Sequence, residues 1–302
     1  MRGVLTGILG LLFLVFGAEA SQDSLVIHRF DEESGLHTTN IRLLLEDGMG
    51  YIWCGSEEGL MRYDGYRFQV MGSQADGAPE LHMERILYLY LDREGAVWIA
   101  SSSKLYRYVH EDRRFRSFPL EATTSEGIIG RDVEGIFETA DGMTWIVTDA
   151  GANAYIAAKN RFTHYPNTEN TSGGIIERFS FVEIDQQIWM CVSGKIYRLD
   201  RNTSQFEYIV KASIDPALQK PDHFRAIVRE SEHTLLLVNK VALYRYDLRT
   251  TRAQRITVFD NISIAAAENA GVVWISCVDG SVVRFPLRGS DSRQVSDVQI
   301  YQ

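Results

Sequence analysis

Polar residues of a few types recur at one place in a repeating text. Asn40, Arg85, Asp132, His223 and Asn261 stand thirteen residues before Trp53, Trp98, Trp145, Leu236 and Trp274. Arg178 takes the same place before Trp189 when its turn is read as two residues shorter. Two residues further on come Arg42, Leu87, Glu134, Ser180, Arg225 and Ser263, with Ile41, Ile86, Val133, Phe179, Phe224 and Ile262 between. Side chains alternate along a strand, so the polar positions share one face and the apolar position takes the other. Arginine beside acid, amide and imidazole groups suits forked hydrogen bonding to carboxylates and sugar hydroxyls. The candidate ligand-binding residues are therefore Asn40, Arg42, Arg85, Asp132, Arg178, His223, Arg225 and Asn261. The plainer alternative is a wet channel whose lining is polar and holds no ligand.

Catalysis is poorly served by the remaining residues. HExxH, P-loop, GxSxG and CxxC patterns are all missing from the chain. Asp141-Gly-Met-Thr-Trp145 approaches the Asp-box of sialidases but falls one residue short and occurs once, which reads as a turn entering a strand. Asp132 and Glu134 lie two residues apart on one strand, a poor arrangement for acid–base work across a glycosidic bond. The histidines at 28, 37, 82, 110, 164, 223 and 233 have no metal-ligand spacing, so neither a metal nor another cofactor is expected. With 31 basic and 40 acidic residues the chain has a net charge of −9, which argues against nucleic acid as a partner.

The elements that must position the polar column are short strands. Trp53, Trp98, Trp145, Trp189, Leu236 and Trp274 follow one another at intervals of 45, 47, 44, 47 and 38 residues. Each sits in an apolar run: YIWCGS, AVWIAS, MTWIVT, QIWMCV, TLLLVN and VVWISC. A second run with a basic–aromatic pair follows, as in GLMRYDG, KLYRYV, KIYRLD and ALYRYD. A third carries Phe68, Phe115, Phe162, Phe206 or Ile256, and another apolar stretch precedes each Trp. Four strands per unit of about 45 residues is the period and count of propeller blades. The fold class is therefore all-β, a β-propeller with six four-stranded blades visible. Repeats lie near 30–72, 80–120, 128–166, 175–210, 220–257 and 259–296. The tryptophans supply packing between blades, and Leu236, with less ring area, predicts a looser fifth blade.

The ends carry further expectations. Arg2, the apolar run from Leu5 to Phe16 and Ala18-Glu19-Ala20 read as a cleavable signal peptide over residues 1–20, which predicts export to the periplasm. The run is short for a membrane span, and no later stretch reaches spanning length. The propeller then covers 21–302. Residues 297–302 read as the start of a seventh blade, so a seven-bladed ring truncated in that blade is expected. The alternative is a six-bladed ring with Ser24–Phe30 added to the sixth blade. Cys54, Cys191 and Cys277, each inside a strand-like run of a different repeat, read as buried hydrophobes rather than disulfide partners.

The first repeat carries a family likeness. Gly35-Leu36, Ile41, Asp47, Gly50, Ile52-Trp53, Gly55-Ser56, Gly59-Leu60, Arg62-Tyr63-Asp64-Gly65 and Phe68 resemble the two-component regulator propeller repeat. The second repeat keeps Asp92, Gly95, Trp98, Ser101, Leu105 and Arg107-Tyr108. The family usually has Asn fourteen residues before the Trp; here Thr39 stands there, with Asn40 one later. The resemblance implies the periplasmic sensor part of a hybrid two-component histidine kinase. Such proteins join two seven-bladed propellers, a three-tyrosine immunoglobulin-like domain, a membrane helix and a cytoplasmic kinase, and sense oligosaccharides from complex glycans. It implies an oligosaccharide ligand, an acidic one given the arginines, with downstream propeller and kinase domains or a second copy in a homodimer as protein partners. Kinase activity would lie outside this chain. Two other functions fit the text less closely: a rigid protein-interaction scaffold, and a propeller lyase or glycosidase.

Overall fold

The computed structural model describes residues 30, 35–38, 40–72, 74–167, 179–185, 187–192, 195–201, 203, 205–209, 224–258, 262–268, 272–287 and 299–301. The expected signal segment and most of the Ser24–Phe30 run lie outside these residues. Six antiparallel four-stranded sheets follow one another along the chain. The first holds β1 (Ile41–Glu46), β2 (Ile52–Ser56), β3 (Gly59–Tyr63) and β4 (Phe68–Met71). The second holds β5 (Ile86–Leu91), β6 (Val97–Ser101), β7 (Lys104–Val109) and β8 (Arg114–Pro119). The third holds β9 (Val133–Glu138), β10 (Thr144–Thr148), β11 (Gly151–Ile156) and β12 (Arg161–Pro166). In the fourth are β13 (Phe179–Ile184), β14 (Gln187–Val192), β15 (Lys195–Asp200) and β16 (Gln205–Tyr208). The fifth is β17 (Phe224–Ser231), β18 (Thr234–Asn239), β19 (Ala242–Asp247) and β20 (Arg252–Val258). The sixth is β21 (Ile262–Glu268), β22 (Val272–Cys277), β23 (Val282–Pro286) and β24 (Gln299–Tyr301).

Each sheet pairs its strands in chain order, and the first strands of consecutive sheets touch from β1 through β5, β9, β13 and β17 to β21. This is the meander blade of a propeller, with first strands innermost. Residues 299–301 correct one expectation. They do not open a seventh blade; they pair with β23 as the outer strand of the sixth, Val282 opposite Tyr301 and Arg284 opposite Gln299. A short alternating run carries no mark of its place in a blade, and the unpaired edge of β23 is what recruits it. Phe30, at the end of the expected closing strand, packs edge-on against Tyr63 and Phe68 of the first sheet.

The repeat residues explain how blades hold together. Trp53, Trp98 and Trp145 are fully buried, and Trp189 nearly so. In three places a Tyr of the third strand meets the Trp of the preceding blade, Trp53 with Tyr108 at 5.1 Å, Trp98 with Tyr155 at 4.9 Å and Trp189 with Tyr246 at 5.7 Å. The Arg of the pair covers its own blade's Trp: Arg107 lies 5.5 Å from the Trp98 ring and Arg198 5.8 Å from Trp189. In the first three blades the polar side chain six residues before the Trp closes the turn into the second strand. Trp53 Nε1 donates to Asp47 at 2.7 Å, Trp98 Nε1 to Asp92 at 2.9 Å and Trp145 Nε1 to Thr139 at 3.2 Å. The sequence read these tryptophans as packing alone; in these three blades the indole N–H also anchors the turn, whereas Trp189 Nε1 is buried without an acceptor. Leu236 keeps its place in a core with Leu243, Val273 and Phe285. The three cysteines are free and buried, and burial pushes the Cys191 thiol up to about 12.

Candidate functional site

At one end of the blades lie the starts of the first strands and the turns between second and third strands. The last residue of the second strand shapes several of those turns. Ser56 Oγ donates to the Gly59 carbonyl at 2.9 Å and accepts from Glu58 N–H at 3.1 Å. Asn239 Oδ1 accepts from Val241 and Ala242 N–H at 2.9 and 2.7 Å. Gly59 has φ +132°, and a Cβ there would run into the backbone of His82, so only glycine closes this turn.

The Ser56 turn aims Glu57 at two arginines from neighbouring blades. Arg42 in β1 pairs with Glu57 Oε1, and Arg85, just ahead of β5, reaches Glu57 Oε2 at 3.1 Å. Both arginines remain 54% exposed. Two guanidinium groups thus share one carboxylate and leave a positive excess facing solvent. An anionic ligand could join or replace Glu57, gaining charge-assisted forked bonds. Glu57 escaped the sequence reading because it belongs to no column; its signal was the Glu57-Glu58 pair in a turn beside Gly59.

The other candidates divide. Asn40 is exposed, and its N–H bonds Thr38 Oγ1 at 3.2 Å. Asp132 is exposed, with its N–H bonded at 3.1 Å to the Asp149 carboxylate, which also accepts from Arg131 N–H at 2.8 Å. Arg225 is half-buried in β17. Arg178, His223 and Asn261 lie outside the described residues. The structure therefore joins Arg42 and Arg85 through Glu57.

The column also bends in a way that simple alternation misses. Register shifts fall at Ile41/Leu43, Ile86/Tyr88, Val147/Thr148, Phe224/Ala226 and Ile262/Ile264. In these five blades the residue eleven before the Trp, from Arg42 to Ser263, is the extra residue of a β-bulge. A bulge re-aims its side chain and locally interrupts the ladder. At this bulged place Arg42 is exposed and Glu134 is buried, so the bulge they share does not by itself set exposure. The fourth blade, with its shorter turn, has no bulge, and Ser180 Oγ there accepts from Ile227 N–H of the next blade at 2.9 Å. Among the described residues no group of three His, Cys, Asp or Glu side chains could hold a metal ion, and no helix is long and apolar enough to cross a membrane.

No family model and no curated protein matches the chain. Solved structures do. The extracellular domain of the hybrid two-component system BT3049 from B. thetaiotaomicron has a TM-score of 0.61 at 19% identity, covering 88% of this chain and 37% of that one. The extracellular domain of the BT4673 system from the same organism gives 0.52 at 19% identity, over 85% of this chain and 39% of that one. The dihydro-heme d1 dehydrogenase NirN gives 0.59 at 11% identity, over 84% of this chain and 56% of that one. The chain thus spans under two fifths of the two signalling domains. At these identities the likeness establishes the propeller fold that all of them share with this chain.

Proposed function

We propose that the chain is the ligand-sensing propeller of an exported two-component signalling protein, and that it binds an oligosaccharide without transforming it. The observation that carries this is the Arg42–Glu57–Arg85 cluster, a half-exposed positive excess built across two blades at one end of the ring. Its charge favours an acidic saccharide over a neutral one. The two-component regulator propeller text of the first repeat supports the signalling context, as does the shared fold with the BT3049 and BT4673 extracellular domains. The non-catalytic reading is supported by one carboxylate pair: Asp132 is exposed and Glu134 buried, so these two do not flank a common space as glycoside cleavage requires. Kinase output would belong to other parts of a longer protein.

The test is calorimetric titration of acidic and neutral oligosaccharides against the wild type, Arg85→Ala and Arg225→Ala. An acidic saccharide should bind, and Arg85→Ala should cost about 1.5–3 kcal/mol of binding, the scale of a hydrogen bond to a charged group. A ligand that binds both variants as it binds the wild type would place the site elsewhere.

A further inference from the structure

The third-strand arginine has an anionic partner in the second, fourth and fifth blades. Arg107 bonds Asp92 at 3.1 Å and Glu94 at 2.9 Å, Arg245 forks onto Glu230 at 2.5 and 2.6 Å, and Arg198 pairs with Glu207. Arg62 in the first blade departs from this. Its natural partner, Asp47, is taken: Asp47 Oδ2 accepts Trp53 Nε1 at 2.7 Å and lies 2.9 Å from His110 Nε2 of the second blade. Arg62 instead lies 4.3 Å over the Tyr51 ring, and its Nη groups make long bonds to neutral oxygens, Tyr108 Oη at 3.4 Å and Gln69 Oε1 at 3.3 Å. Its Nε is buried and has no acceptor. A guanidinium has five N–H donors, so most of its capacity and all of its charge go unanswered.

This arginine lines a cavity of about 560 Å³ between the first two blades, beside Tyr51, Tyr108 and His110. That volume suits a small organic ligand rather than a bare ion. Two of the carboxylates around it are already committed. Asp64 accepts Tyr66 and Arg67 N–H at 2.9 and 2.8 Å, and Asp76 accepts Gly72 N–H at 3.2 Å. Neither pairs with Arg62. We propose that this cavity is a second binding site, for a small organic carboxylate held by Arg62 against the Tyr51 and Tyr108 rings. His110 creates it by occupying Asp47. The site is separate from Arg42 and Arg85, which stand where first strands begin, whereas Tyr51 and His110 belong to the turns at the other end of the strands.

The test uses the full chain and two acids without sugar hydroxyls, benzoate and hexanoate, so that the saccharide site does not answer for the cavity. Benzamide and hexanamide are the neutral counterparts. Ligand-observed NMR titration should give at least one acid a dissociation constant of about 1–10 mM or tighter, as expected for a fragment of this size. Its neutral counterpart should bind at least about tenfold more weakly, and Arg62→Gln should lose about tenfold, the scale set by one charged pair. Arg252→Ala, at an exposed arginine of the fifth blade that lines neither site, should leave the affinity unchanged, which separates the cavity from a general charge effect. If Arg62→Gln does not fold, Arg62→Lys keeps the charge without the fork and should weaken the acid several-fold. The proposal is overturned if no acid binds, if acid and neutral forms bind alike, or if the folded Arg62 variants bind as the wild type does.

Discussion

Replacing Asp92 with Ala removes the most heavily used buried carboxylate of the second blade. Its Oδ2 accepts Trp98 Nε1 at 2.9 Å and Arg107 Nε and Nη2 at 3.3 and 3.1 Å, and its Oδ1 accepts Ala96 N–H at 2.7 Å. The Asp92 side chain is 3% exposed and that of Arg107 12%, so water answers little of what is lost. Two neutral donors left buried cost about 1–3 kcal/mol each, and the guanidinium adds less than a wholly stranded charge because Glu94 still reaches it at 2.9 Å. The sum is about 3–5 kcal/mol, the range for breaking a buried pair from one side. Asp92→Asn keeps one acceptor oxygen and should lose about 1–3 kcal/mol. Removing both partners in Asp92→Ala with Arg107→Met should cost less than the two single changes added, with a coupling of at least about 1 kcal/mol. Urea unfolding followed by tryptophan fluorescence and far-UV circular dichroism measures each value. A loss below about 1 kcal/mol for Asp92→Ala, or strict additivity in the cycle, would refute the reasoning.

Two further predictions test contacts between blades. A Cβ at Gly135 in β9 would overlap the Phe179 ring of the fourth blade, so Gly135→Ala should destabilise by about 1–3 kcal/mol, while Gly48→Ala, with open space around it, should not; equal melting temperatures for the two variants would remove the steric argument. Burial tends to raise the Asp141 pKa, but hydrogen bonds from Arg201 and Thr139 outweigh it and hold the carboxyl below its ordinary value of 3.8. A lowered folded-state pKa means stability that is complete above 3.8 and lost as pH falls below it, so Arg201→Met should flatten the acid limb of the stability–pH curve, and an unchanged limb would assign that loss to other groups.

Much of the architecture was legible in the residues themselves. The tryptophan spacing and the alternating apolar runs set the four-strand period, because a strand's side chains alternate whatever its neighbours are. The apolar stretch expected ahead of each Trp forms the first strand of its sheet, as in β1, β5, β9 and β13. Of the site, the arginines at 42 and 85 were visible as members of a column. Their convergence was not, since Glu57 belongs to a different turn and meets Arg85 only when two blades are stacked.

What stacking decides is what no single repeat contains. Arg42 and Glu134 stand at the same bulged place of their blades, so the exposure of one and the burial of the other come from what packs around each and could not be told apart from the repeat. The same holds for the Arg–Tyr pair. The sequence alone determined that these residues recur; the tertiary structure sends the Tyr to the preceding blade's Trp and the Arg to its own. It also lets His110 claim Asp47 across a blade boundary, 63 positions away in the chain, and so leaves Arg62 facing a cavity. Periodicity is a local property of the chain and survives in the text. Partnership between blades is set by how the sheets stack, and only the folded chain expresses it.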